Sequence, residues 1–261
     1  MKRLSLVAIG IICLVVPSVR ANLLFSEAFD YTAGSGLQNQ VNLGNSATWT
    51  GGNSGLNIGS GNLTYAGLPD QGGNELSISN ATAGSSYITF ANQTSGQIYY
   101  SFLFNPTVID SGNNYFTALN PGATTPGGSG DAIDAYYYSS GKIELRANAQ
   151  SATAGTGTAL TLGTTYFIVE ELDLDAHTAS LWIDPTPGAA APTATASLSG
   201  VTATAVDNVG FKAQSGSGDY LVDNLRIGTT WADVTPIPEP ATFALAGLGL
   251  LGLAGYRRMR R

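Results

Sequence analysis

Apolar and polar residues alternate with a period of two along much of the chain, the spacing expected of strands with one buried face. The run KIELRA at residues 142–147 shows it cleanly, with Ile143, Leu145 and Ala147 on one side. Residues 97–105, QIYYSFLFN, are rich in aromatic and β-branched types that favour sheets. Further strands are predicted over residues 23–31, 48–50, 62–66, 76–79, 86–90, 115–119, 131–139, 206–212 and 219–227. Residues 166–175 and 179–183 flank Asp175-Ala176-His177-Thr178 and predict a hairpin. The stretch NPGATTPGGSG at residues 120–130 can only be a loop, and residues 148–157 and 184–194 read as loops too. About a dozen short strands and no helix between the termini predict an all-β fold, a two-sheet antiparallel sandwich. No internal repeat of about 20–50 residues is present, which argues against a solenoid.

The alternation stops at both ends. Lys2 and Arg3 precede an apolar stretch over residues 4–16, and Val19-Arg20-Ala21 follows. That order is the layout of a secretory signal peptide, residues 1–21, with a helical apolar core and cleavage after Ala21. An uncleaved anchor is the other reading, but 13 apolar residues are few for a span. Cys13 has no lipoprotein box around it, and removal of the signal leaves a chain without cysteine. At the other end, Pro236, Pro238 and Pro240 forbid a helix or central strand, because proline fixes φ and lacks an N–H. Residues 241–256 then run 16 positions without a charge, about 24 Å of helix at ~1.5 Å per residue. That is slightly short of a bilayer core of roughly 30 Å, a gap that Tyr256 and snorkelling arginines can close. Arg257, Arg258, Arg260 and Arg261 form a basic end that stays cytoplasmic by the positive-inside rule. The chain thus divides into residues 1–21, a body over 22–235 and a tail over 236–261, with the transmembrane helix at 241–256 and the basic cluster at 257–261.

The tail as a whole, Pro238-Glu239-Pro240 followed by a glycine- and leucine-rich span and terminal arginines, resembles the PEP-CTERM sorting domain of Gram-negative bacteria. The resemblance covers about the last tenth of the chain. It implies recognition by exosortase, a membrane protease-transferase, near the motif Pro238-Glu239-Pro240. It further implies transfer to the cell surface or to an exopolysaccharide matrix.

Charge narrows the role of the body. All 18 carboxylates of the chain lie between residues 22 and 240, against only Lys142, Arg146, Lys212 and Arg226, a formal charge of −14. So acidic a body repels nucleic-acid phosphates. Without disulfides its stability must come from an extended core, for which about 210 residues suffice.

Three stretches of the body carry a second resemblance. Thr165-Tyr166-Phe167-Ile168-Val169, then Ser180-Leu181-Trp182-Ile183-Asp184-Pro185, then residues 220–228, YLVDNLRIG, look like the second half of a LamG or concanavalin A-like jelly roll. Phe25-Ser26-Glu27-Ala28-Phe29-Asp30-Tyr31 is similar to the first strand of such domains. The resemblance implies a jelly-roll sandwich and a carbohydrate- or protein-binding role. It does not imply an enzyme, and the expectation from the sequence is a non-catalytic structural or glycan-binding protein. Jelly rolls of this kind often bind calcium where first and last strands meet, and by that resemblance Asp30 and Asp223 would be the ligands.

The rival reading is a glycoside hydrolase. On a strand, Glu171, Asp173 and Asp175 form a row on one face. The row resembles the acidic strand of laminarinase-like hydrolases, although Asp175 stands where those enzymes have glutamate. It also runs into a turn beside His177, the only histidine, where solvated acids are ordinary. No serine–histidine–aspartate arrangement and no cysteine–histidine zinc set is present. For glycan binding the candidates are Trp49, Tyr136, Tyr137 and Tyr138, whose rings can stack on sugars. Three consecutive tyrosines cannot all point inward, whereas Trp182 and Trp231 are expected to pack.

Overall fold

A computed structural model describes residues 23–237, apart from residues 53, 110, 111, 113, 123, 124, 128, 129, 149, 150 and 217. The signal segment, the motif Pro238-Glu239-Pro240 and the apolar span that follows it lie outside the described residues.

Fifteen strands form two antiparallel sheets. The first sheet holds β3 (Leu56–Ile58), β4 (Leu76–Ile78), β6 (Gln97–Val108), β11 (Tyr166–Asp173), β12 (Thr178–Ile183), β13 (Ala196–Ser199) and β15 (Asp219–Gly228). Their order is β13-β12-β11-β6-β15-β4-β3, and β1 (Leu23–Glu27) also pairs with β15. The second sheet runs β10-β9-β8-β7-β14-β5-β2. Its members are β2 (Thr50–Gly51), β5 (Gly84–Gln93), β7 (Asn114–Asn120), β8 (Ile133–Tyr137), β9 (Lys142–Ala147), β10 (Ala152–Ala159) and β14 (Val206–Ala213). The all-β two-sheet architecture is therefore as the alternation predicts, including the hairpin of β11 and β12.

Aromatic rings from both sheets meet in the middle. Phe104 of β6 lies 4.7 Å from Phe116 of β7, 5.6 Å from Tyr137 of β8 and 5.5 Å from Tyr220 of β15, between ring centres. A second group joins Phe29, Trp49 and Phe211 at 5.9–6.2 Å. All of these rings are fully buried. Each contributes on the order of 1.5–3 kcal/mol by leaving water.

The outer face of the first sheet is covered as well. Leu63, Leu68, Tyr99, Leu103, Phe167, Val169, Trp182 and Val234 make a smaller apolar layer there. Residues 62–66 contribute to this cover and form no strand, contrary to expectation. Leu63 N–H donates to the buried Asp223 carboxylate at 2.9 Å, and Tyr65 packs on Phe167 at 5.6 Å. A short helix, α1 (Trp231–Val234), closes the layer. Thr230 and Asp233 cap it reciprocally, Asp233 N–H donating to Thr230 Oγ1 and Thr230 N–H to Asp233 Oδ2. At four residues it has too little periodicity to be read from sequence. The strand β10 falls where a loop is expected, because its ATAGTGTA sequence has no large apolar residue to mark its inward side.

Glu27 is the polar centre of the fold. Its buried carboxylate accepts from Phe29 N at 2.9 Å, Tyr31 Oη at 2.6 Å, Asn42 Nδ2 at 3.1 Å and Trp49 Nε1 at 3.0 Å. Among the other buried carboxyls, Glu170 and Asp223 have less support. Glu170 faces the interior beside Tyr100, and burial pushes it up to about 8, the Tyr100 hydroxyl pulling the other way. Burial also pushes Asp223 up to about 8, against the pull of its bonds from Asn224 and Leu63 N–H.

Two outcomes follow. Glu27→Ala removes the acceptor of the buried Phe29 N–H and Trp49 Nε1–H and of the part-buried Tyr31 hydroxyl, and should cost about 3 kcal/mol or more, read as a lower urea midpoint; a loss below about 1 kcal/mol contradicts this role. The raised carboxyls fix a sign for pH. In the unfolded chain Glu170 and Asp223 titrate near their ordinary values of 4.5 and 3.8, below their folded values. Stability is then full below about pH 4 and is lost as pH rises towards about 8. The melting temperature should be higher at pH 5 than at pH 8, and Glu170→Gln should narrow that difference. A melting temperature that climbs from pH 5 to pH 8 contradicts the assignment.

Candidate functional site

Strand β11 separates its acids by alternation. Ile168, Glu170 and Leu172 point into the sandwich, while Glu171 and Asp173 reach the outer face of the first sheet. Glu171 Oε1 accepts from the Tyr99 hydroxyl at 2.8 Å, Tyr99 being its cross-strand partner on β6. Asp173 Oδ2 accepts from Gln97 Nε2 at 3.2 Å. Its Oδ1 accepts the Asp175 and Ala176 N–H groups at 3.0 and 2.7 Å, which fixes the hairpin turn. Asp175 itself sits in that turn and accepts Gly96 N–H at 3.1 Å. The predicted row therefore exists for Glu171 and Asp173, and its third member serves the turn.

Aromatic residues stand beside this pair. The Tyr99 ring meets Trp231 edge-on at 6.1 Å, and Trp231 meets Trp182 at 4.9 Å. The segment between β12 and β13 holds both indoles, Trp182 Nε1 donating to Pro192 O and Trp231 Nε1 to Ala189 O, each at 2.9 Å. Both tryptophans pack as expected, and Trp231 keeps part of its surface open. Burial pushes the half-buried Glu171 carboxyl up; the Tyr99 bond opposes this and the Asp173 charge adds to it. A shift in this direction is the one that a general acid requires. Adjacent outward positions on one strand are about 7 Å apart.

The other expected residues divide sharply. Trp49 and Tyr137 are fully buried in the aromatic core, so neither offers a ring face to a sugar, and both expectations are corrected. Sequence alone could not separate Tyr137 from its neighbours until the phase of β8 was known. Tyr136 and Tyr138 lie on the outer face of the second sheet with Tyr115, a residue the sequence reading did not single out. Asp134, on the same side of β8, is fully buried with both carboxyl oxygens unpaired. Burial pushes it up to about 10, and the neighbouring Asp131 carboxyl adds to the shift.

Asp30 is exposed and lines a cavity of about 150 Å³ with Glu27, Asn42 and Gln71. Asp223 is not part of that lining; it is bound by Leu63 and Asn224 N–H. Among the described residues no three Asp, Glu, His or Cys side chains are grouped to hold a metal.

Solved structures share this architecture. Trypanosoma rangeli sialidase superimposes with a TM-score of 0.53 at 9% identity, over 82% of this chain and 32% of the sialidase. A complex of the same enzyme with a difluorinated sugar acid gives 0.51 at 11% identity, over 80% and 30% of the two chains. A β-1,3-glucanase from Mycobacterium marinum matches with a TM-score of 0.45 at 16% identity, over 78% and 98%. This chain spans about a third of the sialidases' length. No curated protein matches the chain. At these identities the likeness is one of fold, a jelly-roll-like β-sandwich. It corrects the expectation of a non-enzyme, because Trypanosoma rangeli sialidase, a glycoside hydrolase, shares this fold. The C-terminal residues give a match of a different kind. Residues 236–261 match the PEP-CTERM protein-sorting motif. That motif marks the chain as an exported protein sorted by exosortase and processed at the membrane.

Proposed function

We propose that the exported body is a glycoside hydrolase of the concanavalin A-like, LamG-related jelly-roll type that acts on polysaccharide at the outer face of its first sheet. The observation that carries this reading is the Glu171 carboxyl, raised by burial, hydrogen-bonded to Tyr99 and one outward position from Asp173. Glu171 donates the proton to the leaving oxygen of the glycosidic bond. Asp173, held by Gln97 and the turn amides, takes the proton of the water that attacks the anomeric carbon as the glycosidic bond breaks. The partly open Trp231 ring, backed by the buried Tyr99 and Trp182, forms the apolar side on which a sugar ring rests. The layer of Leu63, Leu68 and α1 covers part of this face and leaves Glu171 and Asp173 partly exposed. Three described cavities lie elsewhere: beside Glu27, beside Asp131 and beside Leu23.

Residues 1–21 serve as the signal peptide, 22–235 as the catalytic body and 236–261 as the sorting tail. The tail spans the inner membrane through residues 241–256 until exosortase acts near Pro238-Glu239-Pro240. The processed protein then resides at the cell surface or in an exopolysaccharide matrix, where its substrate is found.

Reducing-end release from β-1,3-glucan, other neutral polysaccharides and sialyl conjugates tests the proposal. Glu171→Gln should lower kcat by about 100-fold or more, the range of a lost general acid, with the melting temperature unchanged. Tyr99→Phe removes a bond that favours the ionised carboxyl, so the alkaline limb of the pH–rate profile should move to higher pH. No hydrolysis of any of these by the parent, or full activity in Glu171→Gln, overturns the reading.

A further inference from the structure

The exported body is acidic, yet its few cations are not scattered. Three of its four basic side chains stand on the outer face of the second sheet, Lys142 and Arg146 on β9 and Lys212 on β14. Their strand neighbours Ile143, Leu145, Ala147, Phe211 and Ala213 belong to the core, so alternation turns the cations outward. The fourth, Arg226, lies in the first sheet and donates its Nε–H to Asp233 O at 3.0 Å.

Tyrosines share that face. The Arg146 guanidinium carbon lies 3.6 Å above the centre of the Tyr136 ring and 5.5 Å from that of Tyr138, whose hydroxyl it also bonds. Lys212 Nζ lies 4.1 Å from the centre of the Tyr115 ring and bonds its hydroxyl. Tyr136 is nearly buried and fixes Arg146, whereas Tyr115 and Tyr138 remain partly open. Arg146 pairs with Glu144 at 2.8 Å, the one ion pair among the described residues. Its guanidinium carries five donors in a fork suited to carboxylates, more than these partners use. No carboxylate of the described residues lies within 4.0 Å of Lys212. Burial holds the Lys212 amine below the usual lysine range, the sign of a cation short of water and of a counter-charge.

An anion relieves that shortage, and apolar ring surface lies beside it. A ligand that uses both presents a carboxylate and a flat sugar face together. We propose that the outer face of the second sheet binds an acidic polysaccharide, a polyuronate or similarly charged glycan, through Arg146 and Lys212 flanked by Tyr115 and Tyr138. Export places this face among extracellular polymers, and the tail would bring it to the cell surface. The surface lies on the sheet opposite to Glu171, so the proposal does not rest on hydrolysis there.

Affinity electrophoresis of the full-length chain in mild detergent tests it, with alginate as the polyuronate, dextran as the neutral glycan and duplex DNA as the other polyanion. Alginate should retard the parent, and about 0.5 M salt should abolish the effect by screening. Lys212→Gln and Arg146→Gln should each weaken retention about tenfold, and Lys212→Arg should restore it. The melting temperature of each variant separates lost binding from lost folding, and the arginine variant keeps the test valid if the glutamine variants unfold. Equal retardation by dextran or by DNA overturns the proposal, as does alginate retention unchanged in the two glutamine variants.

Discussion

A buried carboxylate with four donors around it is the constraint on which the sandwich rests. Glu27 ends the first strand and lies in the first sheet, yet it holds Trp49, which packs against Phe211 of the second. It also holds Asn42 and the turn at Phe29 and Tyr31, so the long segment between β1 and β2 is folded back onto the strand that begins it. A single ion without a cationic partner is tolerable in an interior only when hydrogen bonds replace its water. Here they come from backbone, phenol, amide and indole. A chain without disulfides thus closes one end of its two-sheet core by a polar bond set, and the aromatic stack around Phe104 fills the middle.

From that frame the two faces follow. The interior takes the even-numbered positions of β11, so Glu170 is carried inside and Glu171 outside. The inward acid costs stability as pH rises; the outward one gains a raised carboxyl beside Tyr99 and two indoles. On the second sheet the same alternation sends three of four cations outward and Tyr137 inward. One body can in this way carry a reaction on one sheet and a charged polymer on the other. Tethering a hydrolase to a polymer raises the local concentration of its substrate without any new contact at the reacting bond. The sorting tail adds a further restraint, because it marks the body as exported.

Much of the fold was legible because its signals are local. Period-two alternation marks β9, and the turn at residues 175–178 marks the hairpin of β11 and β12. What escaped depends on contacts distant in sequence. Residues 62–66 alternate like a strand, but Asp223, about 160 residues away, takes the Leu63 N–H and lays the segment over a sheet instead of inside one. The small residues of β10 hide an edge strand. Trp49 was read as a surface ring because nothing in its neighbours names Glu27 as its partner. The Glu171–Asp173 pair was visible as a row, whereas the setting that gives it chemical meaning, Tyr99 and Trp231, is assembled from strands far apart in the chain. The expectation of a non-enzyme rested on the jelly-roll resemblance and on Asp175 standing where laminarinase-like hydrolases have glutamate, and the fold shared with a sialidase overturns it.

The chain contains three tryptophans, and they divide between core and candidate site: Trp49 is in the core, Trp182 and Trp231 beside Glu171. The indole N–H resonances therefore report directly on where a sugar lies. Titration of the Glu171→Gln variant with neutral oligosaccharides should shift the Trp231 resonance, and to a smaller degree that of Trp182, while Trp49 stays fixed. A titration that leaves Trp231 unmoved, or that moves Trp49 in its place, contradicts the assignment of the first sheet's outer face as the site of action.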